Sequence, residues 1–137
     1  MQLTKGHPMQ LKSFSGVVLY VQDLKQSIDF YTKLGFTFKE VGDTAATGYI
    51  NWFWIDLVQA DSEMKQSHQR DAQAERKGDG IYMCLSVDDV DAAHEALVAE
   101  GITPSSDPKD WPYGRREFVV RDPDGYKLVV FKKIKKK

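Results

Sequence analysis

The chain has 137 residues, 42% of them hydrophobic, and a formal net charge of −1 at pH 7. This length suits one domain with a sizeable core, and the near-neutral charge gives no electrostatic reason to expect nucleic acid or an anionic membrane as a partner. The single cysteine, Cys84, excludes an intrachain disulfide, and no apolar run approaches the roughly 18 residues of a membrane span. We therefore expect a soluble, cytoplasmic protein.

The first part of the chain predicts a strand, a helix and two further strands. After a polar leader at residues 1–13, residues 16–21 favour a strand and residues 23–33 an amphipathic helix. The apolar positions of this helix recur every three or four residues: Leu24, Ile28, Tyr31 and Leu34. A strand is then expected at residues 36–41 and a long strand or hairpin arm at residues 49–58, with a turn-rich connection at residues 42–47 between them.

The second part begins after a polar segment at residues 61–79, which we expect to be a helix or a mobile linker with His68 as a surface residue. A strand is predicted at residues 81–87, with Cys84 buried in it as a small apolar side chain, and a helix at about residues 90–100. The Pro-rich residues 104–112 are expected to be an irregular connection. Two strands follow, at residues 117–121 and 127–133, around the tight-turn sequence Asp122-Pro123-Asp124-Gly125.

The two parts repeat each other at a spacing of 66 residues. The identical pairs are Leu19/Leu85, Val21/Val87, Asp23/Asp89, Gly35/Gly101 and Thr37/Thr103. In each copy the Asp can cap the helix start, and the Gly stands where the helix ends. We therefore predict an α+β fold of two tandem βαβββ modules, at residues 14–60 and 80–134, whose curved mixed sheets surround a cavity. A functional site is expected where the two copies meet.

Motifs in both copies resemble those of the vicinal oxygen chelate superfamily. They are Leu19-x-Val21-x-Asp23-Leu24, Phe30-Tyr31, Leu34-Gly35-Phe36, Val87-Asp88-Asp89-Val90-Asp91-Ala92 and Arg121-Asp122-Pro123-Asp124-Gly125. That superfamily includes glyoxalase I, extradiol dioxygenases, fosfomycin-resistance enzymes and bleomycin-resistance proteins. The resemblance covers residues 14–134 and concerns scaffold positions, so it implies the fold and leaves the function open.

The resemblance also marks four strand positions that hold a divalent metal in metal-dependent members, usually as His or Gln and as carboxylates. The matching residues here are Gly16, Asp56, Tyr82 and Val129, and only Asp56 is a carboxylate. One carboxylate does not hold such an ion against water. The three histidines, His7, His68 and His94, do not occupy any of these four positions. His94 is expected to pack on the apolar side of the second helix, which faces the sheet. We therefore expect no metal and no other cofactor, as in the bleomycin-resistance type.

Aromatic residues lie near these positions. Strand alternation places Trp52 and Trp54 on the same side as Asp56, while Phe53, Ile55 and Leu57 face the helices. The remaining residues of the expected ligand pocket are Tyr20, Tyr82, Trp111, Tyr113 and Arg116, with Trp111 and Tyr113 closing its mouth. Flat apolar walls with few polar groups suit a planar or hydrophobic organic ligand.

Three functions follow from these residues. We favour small-molecule binding or sequestration, as in drug-resistance proteins. A metal-independent lyase or isomerase could use Asp56 as general base and Tyr82 as proton donor, or Cys84 as nucleophile, although no third residue orients either arrangement. A lyase or dioxygenase with an atypical metal site is the third. We also expect a homodimer, because each half has sheet edges and an apolar face to cover.

Overall fold

The protein consists of two copies of one βαβββ unit, seen in a computed structural model that describes residues 8–61 and 68–136. The first copy contains β1 Gly16–Val21, α1 Leu24–Leu34, β2 Thr37–Val41, β3 Ala45–Ile50 and β4 Phe53–Gln59. The short helix α2 Gln69–Ala72 follows. The second copy contains β5 Tyr82–Ser86, α3 Val90–Ala99, β6 Lys109–Trp111, β7 Arg115–Arg121 and β8 Lys127–Lys133. Residues 1–7 of the expected leader and 62–67 of the expected linker lie outside the described residues.

Each copy forms its own four-stranded mixed sheet. The strand orders are β1-β4-β3-β2 and β5-β8-β7-β6, so the two sheets have the same topology. In both sheets the first and last strands of the copy are parallel, and the other neighbours are antiparallel. The predicted α+β fold of tandem βαβββ modules is confirmed.

The repeated capping residues start the two long helices in the same way. The Asp23 carboxylate accepts a hydrogen bond from Gln26 N at 3.1 Å, and Asp89 accepts one from Ala92 N at 3.0 Å. Gly35 then ends α1 with φ of 114°, a left-handed conformation that costs glycine little. These local signals explain why residues 66 positions apart form equivalent elements.

One hydrophobic core joins the two modules on the helix side of the sheets. Its fully buried side chains include Tyr31, Ile55, Leu57, Phe118 and Leu128, which come from both copies. The two long helices, α1 and α3, each pack on strands of their own sheet. No helix within residues 8–61 and 68–136 is long and apolar enough to cross a membrane.

The turn between β7 and β8 fastens the second module to the first. The Tyr31 hydroxyl on α1 donates to Asp122 Oδ2 at 2.7 Å, and Gln22 N donates to Asp124 Oδ1 at 2.9 Å. The Tyr126 hydroxyl donates to the carbonyl of Tyr20 at 3.1 Å. Asp122 is only 5% exposed, and its other oxygen accepts from two backbone N–H groups of its own turn. We call these contacts the module latch.

Several local predictions differ from the structure. Residues 49–58, expected as a long strand or hairpin arm, contain the turn of a hairpin, in which Asn51, at φ of 53°, turns the chain between β3 and β4. β3 begins inside the expected connection, and β6 lies inside the Pro-rich stretch. The prediction of a buried Cys84 is wrong, because this thiol is exposed on β5. Its neighbours Met83 and Leu85 are the ones that pack on the core.

Candidate functional site

Each sheet has a face turned away from the helices, which we call the first and second open faces. Strand register places Trp54 and Tyr49 in one row of the first open face, level with Gly16, and Val18, Asp56 and Thr47 in the next. Tyr20 and Val58 follow in a third row. Ile55 and Leu57, at 2% and 0% exposure, face the core instead. The predicted facing of Trp54 and Asp56 is therefore confirmed.

Asp56 is the acidic centre of the first open face. Its Oδ1 accepts a hydrogen bond of 2.7 Å from the Thr47 hydroxyl on the paired strand, and the residue is half-buried. A groove of about 580 Å³ runs along this part of the sheet, with walls that include Asp56, Glu40, Lys39, Thr47 and Val58. The groove combines an oriented carboxylate with apolar wall, which suits a ligand carrying a hydrogen-bond donor or a positive charge.

The Trp54 indole covers the place where a side chain of residue 16 would stand. A Cβ built on Gly16 would lie 2.2 Å from the Trp54 ring and 2.4 Å from its carbonyl oxygen. Glycine is therefore required at this position, and the ring belongs to the surface of the first open face.

The four positions marked by the family resemblance do not form a divalent-ion site. Gly16 has no side chain that could bind a metal, and a larger residue there would collide with Trp54. Val129 is apolar and only 6% exposed. The Tyr82 ring lies 4.6 Å from the Lys127 ammonium. Asp56 is hydrogen-bonded to Thr47. Among the described residues, no cluster of three or more His, Cys, Asp or Glu side chains could hold a metal. These residues do not fit the metal that other family members hold.

The second open face is richer in basic residues. Register places Tyr82, Lys127 and Arg121 in one row, and Cys84, Val129 and Val119 in the next. Ser86, Phe131, Glu117 and Lys109 form a third row, and Lys133, Arg115 and Trp111 a fourth. Cys84 Sγ lies 4.0 Å from Arg115 Nη1, and no His is recorded beside this thiol in the described part of the chain. The face therefore lacks the base that would activate a cysteine nucleophile.

Arg115 and Arg116 lie on opposite faces of β7. Arg116, which we predicted to bind the ligand, instead lies on the helix side of β7, where its guanidinium bonds Asp91 of α3 at 2.8 Å and Asp110 of β6 at 3.0 Å. This pairing lowers the pKa of the Asp91 carboxyl. Arg115 points to the second open face, with its guanidinium 4.6 Å from the centre of the Phe131 ring. Arg115 therefore replaces Arg116 in the candidate site.

Three other aromatic residues of the expected pocket lie at its margins. Trp52 belongs to the β3–β4 turn, is 67% exposed, and contacts the edge of Phe53, because the turn interrupts strand alternation before β4. Trp111 ends β6 and stacks on Tyr113 with ring centres 6.0 Å apart. Partial burial and the neighbouring Glu117 carboxylate raise the pKa of Tyr113. The Trp111–Tyr113 pair borders the second open face.

Tyr20 lies in a second cavity, between the two modules. This cleft of about 560 Å³ is lined by β1, by the start of β5 and by the segment around α2. The Tyr20 hydroxyl is hydrogen-bonded to His68 Nδ1, and the two rings meet edge to face. The prediction that His68 is an ordinary surface residue is therefore wrong. The contact spans 48 residues of sequence and has no local signal. His94, in contrast, packs on Phe118 as predicted.

Residues 13–130 match the Glyoxalase/Bleomycin resistance protein/Dioxygenase superfamily. The chain belongs to this superfamily. It is 34% identical over 124 residues to bleomycin resistance proteins of Geobacillus stearothermophilus and Staphylococcus aureus, covering 85% of this chain and 94% of each relative.

Solved structures of the superfamily share the same fold. A glyoxalase/bleomycin resistance protein/dioxygenase from Nocardioides aligns with a TM-score of 0.75 and 25% identity, over 93% of this chain and 87% of that one. An integron cassette protein from the mobile metagenome of V. cholerae aligns with a TM-score of 0.71 and 25% identity, over 91% and 98%. The superfamily membership accounts for the predicted scaffold motifs.

Proposed function

We propose that this protein binds a planar or hydrophobic organic molecule without a metal, as a drug-sequestering protein of the bleomycin-resistance type. The observation that carries the proposal is the first open face, where Trp54 and Asp56 stand in adjacent rows beside a groove. The ring offers a flat apolar surface and the carboxylate a polar anchor. The similarity to bleomycin resistance proteins supports the same class of ligand.

The polar anchor matters because stacking alone is weak. Burial of about 300 Å² of ligand surface contributes roughly 7 kcal/mol, and association costs at least about 4 kcal/mol, which leaves affinity near the millimolar range. One charge-assisted hydrogen bond, worth about 1.5–3 kcal/mol, would tighten binding by one to two orders of magnitude. Asp56 supplies it beside Trp54, and Glu40 is a second carboxylate in the row of Asp56.

Metal independence is part of the proposal. Gly16, Tyr82 and Val129 offer no ligand where metal-dependent members of the family need one, and a side chain at residue 16 would collide with Trp54. The aromatic and acidic residues must then provide the affinity by themselves.

A thermal-shift and fluorescence titration with metal-free bleomycin tests the proposal. We expect saturable quenching of tryptophan emission and a rise in melting temperature, both unchanged by EDTA. Loss of the stabilisation in EDTA would support a metal-dependent activity instead. Absence of quenching by bleomycin and by a panel of planar aromatic compounds would contradict the binding function.

A further inference from the structure

The second open face carries an excess of positive charge. Its basic residues are Lys109, Arg115, Arg121, Lys127 and Lys133, and its one acidic residue in the paired strands is Glu117. The chain as a whole is nearly neutral at −1, so this excess is local. Like charges on one face raise the potential there and attract an anion.

Three of these cations rest on aromatic rings. Lys127 lies 4.6 Å from the centre of the Tyr82 ring, Arg115 the same distance from Phe131, and Lys109 lies 4.1 Å from Trp111. A guanidinium stacked in this way uses its flat face for the ring and keeps the N–H donors at its edge directed sideways. Those donors match the two oxygens of a carboxylate, phosphate or sulfonate.

Arg115 differs from the neighbouring Arg116 in having no acidic partner. Arg116 makes ion pairs with Asp91 and Asp110 on the helix side. Within residues 8–61 and 68–136, no carboxylate is in ion-pair contact with the half-buried Arg115, whose recorded polar neighbour is Cys84 Sγ. Glu117, the acidic residue next along this face, forms no ion pair with Arg115 within the described residues, and its Oε1 is buried without a hydrogen-bond partner. A half-buried guanidinium without a counterion gains most from an anion that approaches it.

We infer that Arg115 anchors the anionic group of a planar organic ligand on the second open face. The ligand's acidic oxygens bind the edge of the guanidinium, and its flat body lies over the rows of Val129 and Tyr82. This inference rests on the proposed function and adds a charge requirement that the first open face does not impose. The ligands that it selects are organic acids with a flat ring system.

Two probes with the same ring and opposite charge test the inference: 2-naphthoate and 2-naphthylmethylammonium. Binding on the second open face is measured by slower alkylation of Cys84 with the neutral reagent iodoacetamide, and tryptophan quenching reports binding on either face. Cys84 is the chain's single cysteine and is exposed on the second open face, so its protection reports occupancy there. We expect naphthoate to protect Cys84 at a concentration at least tenfold lower than the ammonium requires, while the ammonium quenches tryptophan through the first open face, where Asp56 lies beside Trp54.

Arg115→Gln and Arg116→Gln form a matched pair, because each removes one positive charge from β7, on opposite faces. Arg115→Gln should weaken naphthoate binding about tenfold and abolish its preference over the ammonium, whereas Arg116→Gln should retain both. Circular dichroism and melting temperature confirm that each variant is folded. Equal losses in the two variants, or an unchanged affinity in Arg115→Gln, would overturn the anion site. If neither probe quenches tryptophan or protects Cys84, the planar-ligand function fails, and this inference fails with it.

Discussion

Trp54 and Ile55 are neighbours in sequence that serve opposite sides of β4. The Trp54 indole covers Gly16 on the first open face, while Ile55 is 2% exposed in the core. Because successive side chains of a strand point in opposite directions, adjacent substitutions can separate ligand binding from folding. This pair therefore provides a test of the site at the scale of single residues.

Trp54→Ala should weaken ligand binding by about 1–3 kcal/mol through loss of a large contact surface. It should lower the free energy of unfolding by less than Ile55→Ala does. Ile55→Ala should lower the free energy of unfolding by about 2–5 kcal/mol by leaving a core cavity, with little change in affinity of the folded fraction. Urea denaturation and fluorescence titration measure the two effects. The assignment of the binding face is wrong if Ile55→Ala abolishes binding in folded protein while Trp54→Ala only destabilises it.

Alternation was sufficient to predict the facing of Trp54 and Asp56 because Ile55 and Leu57 identify the buried side of β4 from the sequence. It failed at Trp52, since the left-handed Asn51 places a turn before the strand. Arg115 and Arg116 are adjacent, and no feature of the sequence indicates which of them faces the helix. The orientation of Arg116 depends on its ion pairs with Asp91 and Asp110, which lie on other elements of the fold.

The β7–β8 turn illustrates how an element acquires a role that its local sequence does not show. Its Asp-Pro-Asp-Gly sequence predicted a tight turn, and the structure confirms one. The Tyr31–Asp122 contact of the module latch, however, joins residues 91 positions apart. In contrast, the helix caps Asp23 and Asp89 could be predicted because each bonds a residue three positions away.

Removal of one hydroxyl from the module latch should be costly. Tyr31→Phe leaves Asp122 Oδ2 buried without its donor, and we expect a loss of about 1–3 kcal/mol in the free energy of unfolding. Tyr49→Phe is the matched control, since it removes a hydroxyl from a half-buried ring of β3 and should change stability by less than about 0.5 kcal/mol. Equal effects of the two substitutions in chemical denaturation would argue against the latch.

The latch also predicts the response to alkaline pH. Burial raises the pKa of Tyr126 from 10.0 to about 12, and burial with the nearby Asp122 raises that of Tyr31. Between pH 10 and 12 the unfolded chain releases these protons while the folded protein keeps them, so stability must fall as pH rises through this range.

Tyr126→Phe should make this decline shallower, while its own stability at pH 7 falls through loss of the bond to the Tyr20 carbonyl. Denaturant titrations of both proteins at pH 7, 10, 11 and 12 measure the difference in slope. A decline as steep in Tyr126→Phe as in the natural protein would show that other groups, such as the lysines, govern alkaline unfolding.

At the scale of the whole molecule, both sheets leave one face open, and the first face is the more acidic of the two, although Lys39 lies over its Tyr49 ring. Asp56 and Glu40 stand in one row of the first open face, whereas basic residues dominate the second. Exposed Val18 and Tyr82, at 43% and 54%, add apolar surface. A two-fold axis would bring the first open face of one copy opposite the second open face of the other, twice over, around cavities that take residues from both chains and stay accessible to a ligand.

We therefore predict a homodimer at micromolar concentration whose dissociation constant rises several-fold between 0.1 and 1 M salt, because salt screens the opposed charges. Lys127→Glu should weaken the dimer by placing an acidic residue opposite Asp56 of the second copy. Lys25→Glu makes the same charge change on exposed α1 and should have no effect. Sedimentation equilibrium measures both. A monomer at micromolar concentration, or equal weakening by the two variants, would show that the open faces do not pair.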